Sequence, residues 1–223
     1  MDSYKIIDVK RSIFEDNDAD ADRLREELRE QKTFLLNLMS SPGAGKTTTL
    51  CQTIERLKNE LKIGVMEADI DSDVDAATIL EHGARAIQIH TGGMCHLDAD
   101  MTRQGLREFG SDDLDLVVME NLGNLVFPAD FSTGAVKNAM ILSVPEGDDK
   151  PLKYPLMFSV CDVVLVNKCD TLPVFEEFSK EAVKESVKKL NPNAKVIFVS
   201  AKTGEGFDEW VNWLRDSVAE WNK

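Results

Sequence analysis

The sequence predicts a three-layer α/β fold, in which a mainly parallel sheet of about seven strands carries helices on both faces. Three observations support this prediction. Short apolar runs alternate with helical patterns along the chain, as in βαβ units. Most of these runs are continuous, as expected for strands that are covered on both faces. The first run leads directly into a glycine-rich loop and then a helix.

Each element follows from this periodicity. Strands are predicted over 34–39, 63–67, 87–90, 116–120, 139–144, 163–167 and 196–200, and helices over about 47–60, 72–82, 97–108 and 176–190. A last helix places an apolar stripe on one face, which favours core packing: Phe207, Trp210, Val211, Leu214, Val218 and Trp221. Residues 15–32 indicate an acidic cap and an amphipathic helix, so we expect a helical segment over 1–32 packed on a domain over 33–223.

Composition excludes several classes of protein. The 223 residues carry 26 Lys and Arg against 40 Asp and Glu, a formal charge of -14. Such a surface repels nucleic acids and anionic lipids, so neither is an expected partner. No apolar run reaches the roughly 20 residues of a membrane span, and the first residues do not resemble a secretory signal. We therefore expect a cytoplasmic protein whose four cysteines form no disulfides.

The glycine-rich loop has the chemistry of a phosphate site. The run SSPGAGKT over 40–47 stands between a strand and a helix, the context that a Walker A motif requires. Glycines let backbone N–H groups face phosphate oxygens, Lys46 can reach the β- and γ-phosphates, and the Thr47 hydroxyl can bind Mg²⁺. Ser40 replaces the usual first glycine and marks a branch of the P-loop NTPase fold. The predicted nucleotide contacts here are Pro42, Gly43, Ala44, Gly45, Lys46, Thr47 and Thr48.

An acidic residue ends the strand predicted over 116–120. Glu120 is expected to hold Mg²⁺ through water or to position the attacking water, and we assign it a catalytic role beside Lys46. An ordinary polar strand terminus is the alternative interpretation.

A second motif predicts which base is bound. NKCD over 167–170 follows a strand, and SAK over 200–202 follows another. In an N-K-x-D motif the aspartate accepts hydrogen bonds from guanine N1–H and N2–H, and adenine lacks the second donor. The predicted nucleotide is therefore GTP. Its base contacts are Asn167, Lys168, Asp170, Ser200, Ala201 and Lys202, while Cys169 is the variable position.

Cys95 and His96 are adjacent candidates for metal ligands. A thiolate beside an imidazole suits Zn²⁺ or Ni²⁺. Two ligands are too few, so the spacing alone favours a buried cysteine and a structural histidine. A two-fold dimer would double the set to four at a shared interface.

The motifs together resemble the HypB family, the GTPases that help insert nickel into hydrogenases. The matching stretches are NLMSSPGAGKTT (37–48), TGGMCHLDA (91–99), ENLGNLVFPADF (120–131), EGDDKPLKYP (146–155), NKCD (167–170) and SAKTGEGF (200–207). The resemblance implies a GTP-dependent homodimer with a metal site at its interface. It also implies a second nickel-maturation protein and a hydrogenase large-subunit precursor as partners.

The resemblance also implies roles for individual residues. Asp75 corresponds to a switch-region carboxylate near Mg²⁺, with Asp69 and Asp71 as alternatives, so the implied magnesium set is Thr47, Asp75 and Glu120. Lys153 corresponds to a residue that reaches the partner subunit's nucleotide. Cys95 and His96 correspond to ligands for Ni²⁺ or Zn²⁺. The motifs contain no obvious glutamine or arginine finger, so we expect slow intrinsic hydrolysis, about 10⁻² s⁻¹ or below.

Two departures from the family pattern limit the metal chemistry. Phe127 stands where relatives that bind metal typically have cysteine, so one thiolate per chain is lost. The N-terminus lacks the Cys-rich and His-rich motifs of some relatives, which argues against metal storage. Two alternatives therefore stay open: a GTP-regulated docking protein without metal delivery, and a GTPase that serves another nickel enzyme.

Overall fold

The computed structural model describes residues 9–69, 74–90, 93 and 96–223, with side chains from residue 14 onward except those of 69 and 74–76. The strands are β1 (Phe34–Ser40), β2 (Ile63–Asp69), β3 (Arg85–His90), β4 (Leu116–Gly123), β5 (Lys137–Ser143), β6 (Val163–Asn167) and β7 (Lys195–Phe198). The α-helices are α1 (Val9–Gln31), α2 (Lys46–Leu57), α3 (Val74–Glu81), α4 (Ala99–Phe109), α5 (Phe127–Asp130), α6 (Lys150–Lys153), α7 (Pro155–Ser159), α8 (Lys180–Leu190) and α9 (Phe207–Trp221).

The described residues form one seven-stranded parallel sheet in the order β3-β2-β4-β1-β5-β6-β7. The interior strands β1 and β6 are buried along their whole length, whereas the edge strands β3 and β7 are partly exposed. This burial explains the continuous apolar runs in the sequence. The three-layer α/β prediction is confirmed.

Apolar clusters cover both faces of the sheet. On one face, Leu36 and Leu38 of β1 pack with α2 and with Trp210 and Leu214 of α9. The predicted apolar stripe of the last helix therefore belongs to the core. On the other face, α1 and α4 form one cluster, and α7 and α8 form a second. β1 is consequently the middle strand of the sheet, with helices packed on both of its faces.

The structure moves some predicted boundaries for identifiable reasons. The helix predicted over 176–190 begins only at Lys180, because the Ser179 hydroxyl caps it by accepting from the Ala182 N–H at 3.1 Å. The strand predicted to end at Glu120 continues to Gly123, which pairs with Ser40 beyond an irregularity in β1. The last strand ends at Phe198, and the Ser200 N–H instead bonds the Glu205 carbonyl in a turn.

The N-terminal helix crosses the sheet on the α4 side. Leu24 and Leu28 are buried against Leu35 and Leu106. The acidic stretch expected to cap this helix lies within it, since α1 runs without a break to Gln31. The chain then turns through Lys32, whose φ is 57°.

Two expectations from composition bear on the described part of the chain. Over 9–69, 74–90, 93 and 96–223, no helix combines the length and apolarity needed to cross a membrane. Cys51, Cys161 and Cys169 are buried, and none of the three forms a disulfide bond with a described residue. Cys95 lies outside the described residues.

Candidate functional site

The candidate site lies where the carboxyl ends of β1, β4 and β6 meet. In an open parallel sheet, ligands bind outside these ends, where neighbouring connections leave a crevice. The loop 41–45 follows β1, Glu120 stands near the end of β4, and Asn167 ends β6. The fold therefore brings together three motifs that are separated in sequence.

The loop after β1 is held open by two glycines. Gly43 has a φ of 76° and Gly45 a φ of 97°, which are left-handed conformations that favour glycine. Open space surrounds the position of a Cβ at Gly43, whereas a Cβ at Gly45 would lie 2.5 Å from the Asn167 Nδ2 atom. Helix α2 then starts at Lys46, so its N-terminal N–H groups face the loop.

The ammonium group of Lys46 lies between a hydroxyl and a carboxylate. Its Nζ donates to Ser40 Oγ at 3.1 Å and lies 3.8 Å from Glu120 Oε1. Ser40 and Glu120 are both buried. The serine that departs from the Walker A pattern therefore supplies an oxygen for the lysine, and Glu120 lies next to the predicted phosphate-binding group.

Asn167 joins the phosphate loop to the two base-side segments. Its Nδ2 donates to the Ala44 carbonyl at 3.0 Å, and its Oδ1 accepts from the Ala201 N–H at 3.0 Å. The side chain is only 2 % exposed, so both bonds are sheltered from water. The Asn167 amide thus fixes the distance between the segment that would hold phosphate and the segment that would hold the base.

The Asp170 carboxylate is oriented by a neighbouring hydroxyl. Ser200 Oγ donates to Asp170 Oδ1 at 2.7 Å, and Lys168 Nζ donates to the Gly43 carbonyl at 2.7 Å. A cleft of about 250 Å³ opens beside them, lined by Gly45, Thr48, Asn167, Lys168, Asp170, Thr171, Ala201 and Lys202. Most of the predicted base contacts therefore line one cleft.

The variable position of the NKCD motif takes no part in this chemistry. Cys169 is 5 % exposed, and its Sγ lies 3.1 Å from the Val166 carbonyl. Burial raises the pKa of this thiol to about 11, so it stays protonated at neutral pH.

The predicted metal ligands are only partly described. Cys95 lies outside the described residues. The His96 imidazole stacks on the Phe131 ring with centroids 4.1 Å apart, and its Nδ1 is buried without a hydrogen bond to any described residue. Asp98 caps α4 by accepting from the Met101 N–H at 2.9 Å. The described residues contain no group of three or more His, Cys, Asp or Glu that could hold a metal ion.

The remaining predicted site residues either lie on the surface or have side chains that the structure does not describe. Asp75 is in α3 but its side chain is not described, and residues 70–73 are not described at all. Lys153 is exposed on α6 and pairs with Asp149 at 2.6 Å, which lowers the pKa of Asp149 and raises that of Lys153. Phe127, which begins α5, is 44 % exposed.

The structure also shows a contact that the motifs did not predict. Glu146 accepts from the Ser41 hydroxyl of the phosphate loop, and its other oxygen accepts from the Ser143 N–H at 2.8 Å. This carboxylate therefore braces the loop from the end of β5. The capping pattern S-x-x-E over 143–146 was a visible sequence signal for it.

A row of three side-chain amides, two of them buried, also went unpredicted. Asn121 Nδ2 donates to Asn37 Oδ1, and Asn37 Nδ2 donates to Asn138 Oδ1, both at 3.0 Å. The row joins β4, β1 and β5 beneath the site. The sequence signal was an asparagine inside the predicted strand over 34–39 and one directly beside each of the predicted strands over 116–120 and 139–144.

Comparison with known proteins supports the assignment of these motifs. The family model for the CobW/HypB/UreG nucleotide-binding domain matches residues 34–198. Hydrogenase maturation factor HypB of Rhizobium leguminosarum bv. viciae is 43 % identical over 219 residues, covering 98 % of this chain and 73 % of the relative. Hydrogenase/urease maturation factor HypB of Helicobacter pylori is 38 % identical over 222 residues, covering 98 % and 90 %.

A solved structure agrees with the sequence relatives. HypB from Helicobacter pylori in complex with nickel superposes with a TM-score of 0.85 at 39 % identity, covering 92 % of this chain and 96 % of that chain. The family model, the sequence relatives and the solved structure all indicate the same family. The chain therefore belongs to the HypB family of P-loop nucleotide-binding proteins.

Proposed function

We propose that this chain binds and hydrolyses GTP in the cytoplasm and helps to insert nickel during hydrogenase maturation. The arrangement of Asn167, Asp170 and Ser200 above the phosphate loop carries the nucleotide part of the proposal. Asp170 presents an acceptor that Ser200 orients, and guanine supplies two donors to such a group. The names of the similar proteins, including one solved with nickel, support the metal part.

The oxygen groups beside Lys46 suit a magnesium ion. Thr47 would offer a hydroxyl, and Glu120 is a buried carboxylate close to the predicted phosphate position. Asp75 would complete the set from α3. A bound Mg²⁺ would neutralise charge on the transferred phosphoryl group, while Lys46 and the loop N–H groups hold the phosphate oxygens. Positioning and charge alone give slow turnover, about 10⁻² s⁻¹ or below.

We propose further that GTP controls a homodimer whose interface holds the nickel. Cys95 and His96 of two subunits would supply four ligands, and nickel is the cargo rather than a resident cofactor. The buried Nδ1 of His96, which has no hydrogen bond to a described residue, is consistent with a ligand at this position. Zn²⁺ is the alternative ion. Lys153, exposed on α6, would reach the partner's nucleotide.

The proposed partners are a second nickel-maturation protein and a hydrogenase large-subunit precursor. Residues 1–32 would form a segment packed on the nucleotide domain over 33–223. Two observations keep other functions open. Phe127 offers an exposed ring where relatives that bind metal typically have a thiolate, which favours GTP-regulated docking without metal delivery. The Helicobacter relative is named for urease as well as hydrogenase, which favours a second nickel enzyme as client.

Base exchange tests the nucleotide assignment. The Asp170→Asn variant should weaken GTP binding and favour xanthosine triphosphate, because the purine 2-oxo group accepts a hydrogen bond where the guanine amino group donates one. We expect GTP affinity to fall by roughly 10²-fold or more, by titration with fluorescent nucleotides. Asp216→Asn, an equal charge change at an exposed position of α9, is the matched control. Unchanged GTP affinity in Asp170→Asn would remove the base-reading role.

A further inference from the structure

The His96 imidazole is held by an aromatic face rather than by a hydrogen bond among the described residues. The rings of His96 and Phe131 are stacked, with centroids 4.1 Å apart and planes 14° from parallel. The buried Nδ1 makes no hydrogen bond within the described part of the chain. Metal-binding histidines are usually oriented by a hydrogen bond from the second ring nitrogen. Here the flat face of Phe131 takes that place, since it restricts rotation of the imidazole without bonding either ring nitrogen.

Phe131 is braced by the N-terminal helix. The Phe14 ring of α1 lies 4.8 Å from the Phe131 ring at an interplanar angle of 38°. Phe14, Phe131 and His96 thus form a continuous row of three rings. The row connects α1 to a predicted metal ligand more than 80 residues away in sequence.

Asn17, close to Phe14 on α1, ties together the two segments that carry these rings. Its Nδ2 donates to the Ser132 carbonyl at 2.9 Å, next to Phe131. Its Oδ1 accepts from the Ala99 N–H at 3.0 Å, three residues beyond His96. One amide of α1 therefore fixes the spacing between the segment of His96 and the segment of Phe131.

A second polar contact holds α1 to the same segment. The Arg25 guanidinium donates from Nη2 to Ser132 Oγ at 2.8 Å and from Nε to the Ala135 carbonyl at 3.1 Å. A shift of α1 would move the segment 131–135 with it, and the stacking face of Phe131 would leave the His96 ring.

We propose that Phe131 is a positioning residue for His96, and that α1, through Phe14 and Asn17, holds it in place and so sets the nickel affinity of the site. This inference rests on the proposed function, in which His96 binds nickel. An imidazole that is already oriented loses less rotational freedom when it binds the ion.

Nickel titration of full-length variants in Mg²⁺ and GDP tests the inference, with a chromophoric chelator as competitor. Phe131→Leu keeps apolar bulk but removes the flat face, so we expect roughly two- to tenfold weaker nickel binding. Phe131→Tyr keeps the face and should restore wild-type affinity. Asn17→Ala should weaken nickel binding in the same direction. The thiolate-to-nickel absorption band should shift in Phe131→Leu and return in Phe131→Tyr.

Fluorescent GDP affinity serves as the folding control, because neither Phe131 nor Asn17 contacts the nucleotide motifs. GDP affinity should be unchanged in each variant. If Phe131→Leu loses GDP binding, the nickel affinity of Asn17→Ala is the test of the positioning role. His96→Ala separates the two proposals. Weaker nickel binding in His96→Ala, with wild-type affinity in Phe131→Leu and Asn17→Ala, overturns the positioning role alone. Phe131→Tyr as weak as Phe131→Leu also overturns it. Unchanged affinity in His96→Ala overturns the metal site and this inference together.

Discussion

The two glycines of the phosphate loop offer a matched test of how the site is built. Both Gly43 and Gly45 have positive φ, so alanine at either position suffers backbone strain of about 1–2 kcal/mol. They differ in their surroundings. A Cβ at Gly43 meets no atom within 4 Å, whereas one at Gly45 would lie 2.5 Å from Asn167 Nδ2. Gly43→Ala therefore measures the strain, and Gly45→Ala measures the strain plus displacement of Asn167.

Displacing Asn167 disturbs two buried backbone groups. The Ala44 carbonyl and the Ala201 N–H each bond this side chain at 3.0 Å. A buried polar group that loses its partner costs about 1–3 kcal/mol. We therefore expect Gly43→Ala to lower the free energy of unfolding by about 1–2 kcal/mol and Gly45→Ala by about 3–8 kcal/mol.

Urea unfolding of the nucleotide-free protein, with linear extrapolation, provides the comparison. A double-mutant cycle with Asn167→Ala adds a second criterion, because removing the amide relieves the clash. The double variant should be more stable than the sum of the single losses predicts. A difference below about 1 kcal/mol between the two glycine variants, together with additivity in the cycle, would refute this reasoning.

Two further predictions concern hydrolysis and the core. Glu120→Gln keeps the shape of the side chain but removes its charge beside Lys46. The rate of phosphate release from GTP should therefore fall roughly 10²-fold, while GDP binding without Mg²⁺ persists. An unchanged rate of GTP hydrolysis would contradict the catalytic role of Glu120. Trp210→Phe loses a buried hydrogen bond to Thr53 Oγ1 of 2.9 Å and core volume, so urea unfolding should show a loss of about 1.5–3 kcal/mol. Trp213→Phe, at the partly exposed neighbouring position, is the control. An equal loss of unfolding free energy in Trp213→Phe would contradict the role of Trp210 as a hydrogen-bonded core residue.

The sequence predicted the fold because its signals are local. Continuous apolar runs mark buried strands, and the loop after β1 and the motif after β6 each stand at the end of such a run. Since the strands are parallel, those ends meet at one edge of the sheet, which brings Asn167 to Ala44. Boundaries were less accurate where one cap decides them, as at Ser179.

Contacts between distant elements could not be predicted in the same way. Asn17 reaches Ser132 across 115 positions, and Glu146 reaches Ser41 across 105. No periodicity links such pairs, because they depend on how α1 and the end of β5 pack against the rest of the fold. The orientation of Asp170 by Ser200 is similar, since the motifs named both residues but not the bond between them.

Nickel titration in two nucleotide states tests the central proposal most directly. The full chain would be titrated with nickel in Mg²⁺ and either GDP or a non-hydrolysable GTP analogue, with oligomeric state followed by sedimentation. We predict a dimer with the analogue and a monomer with GDP, and nickel affinities that differ by about fivefold or more. Equal nickel affinity and the same oligomeric state with both nucleotides would contradict a GTP-controlled nickel carrier.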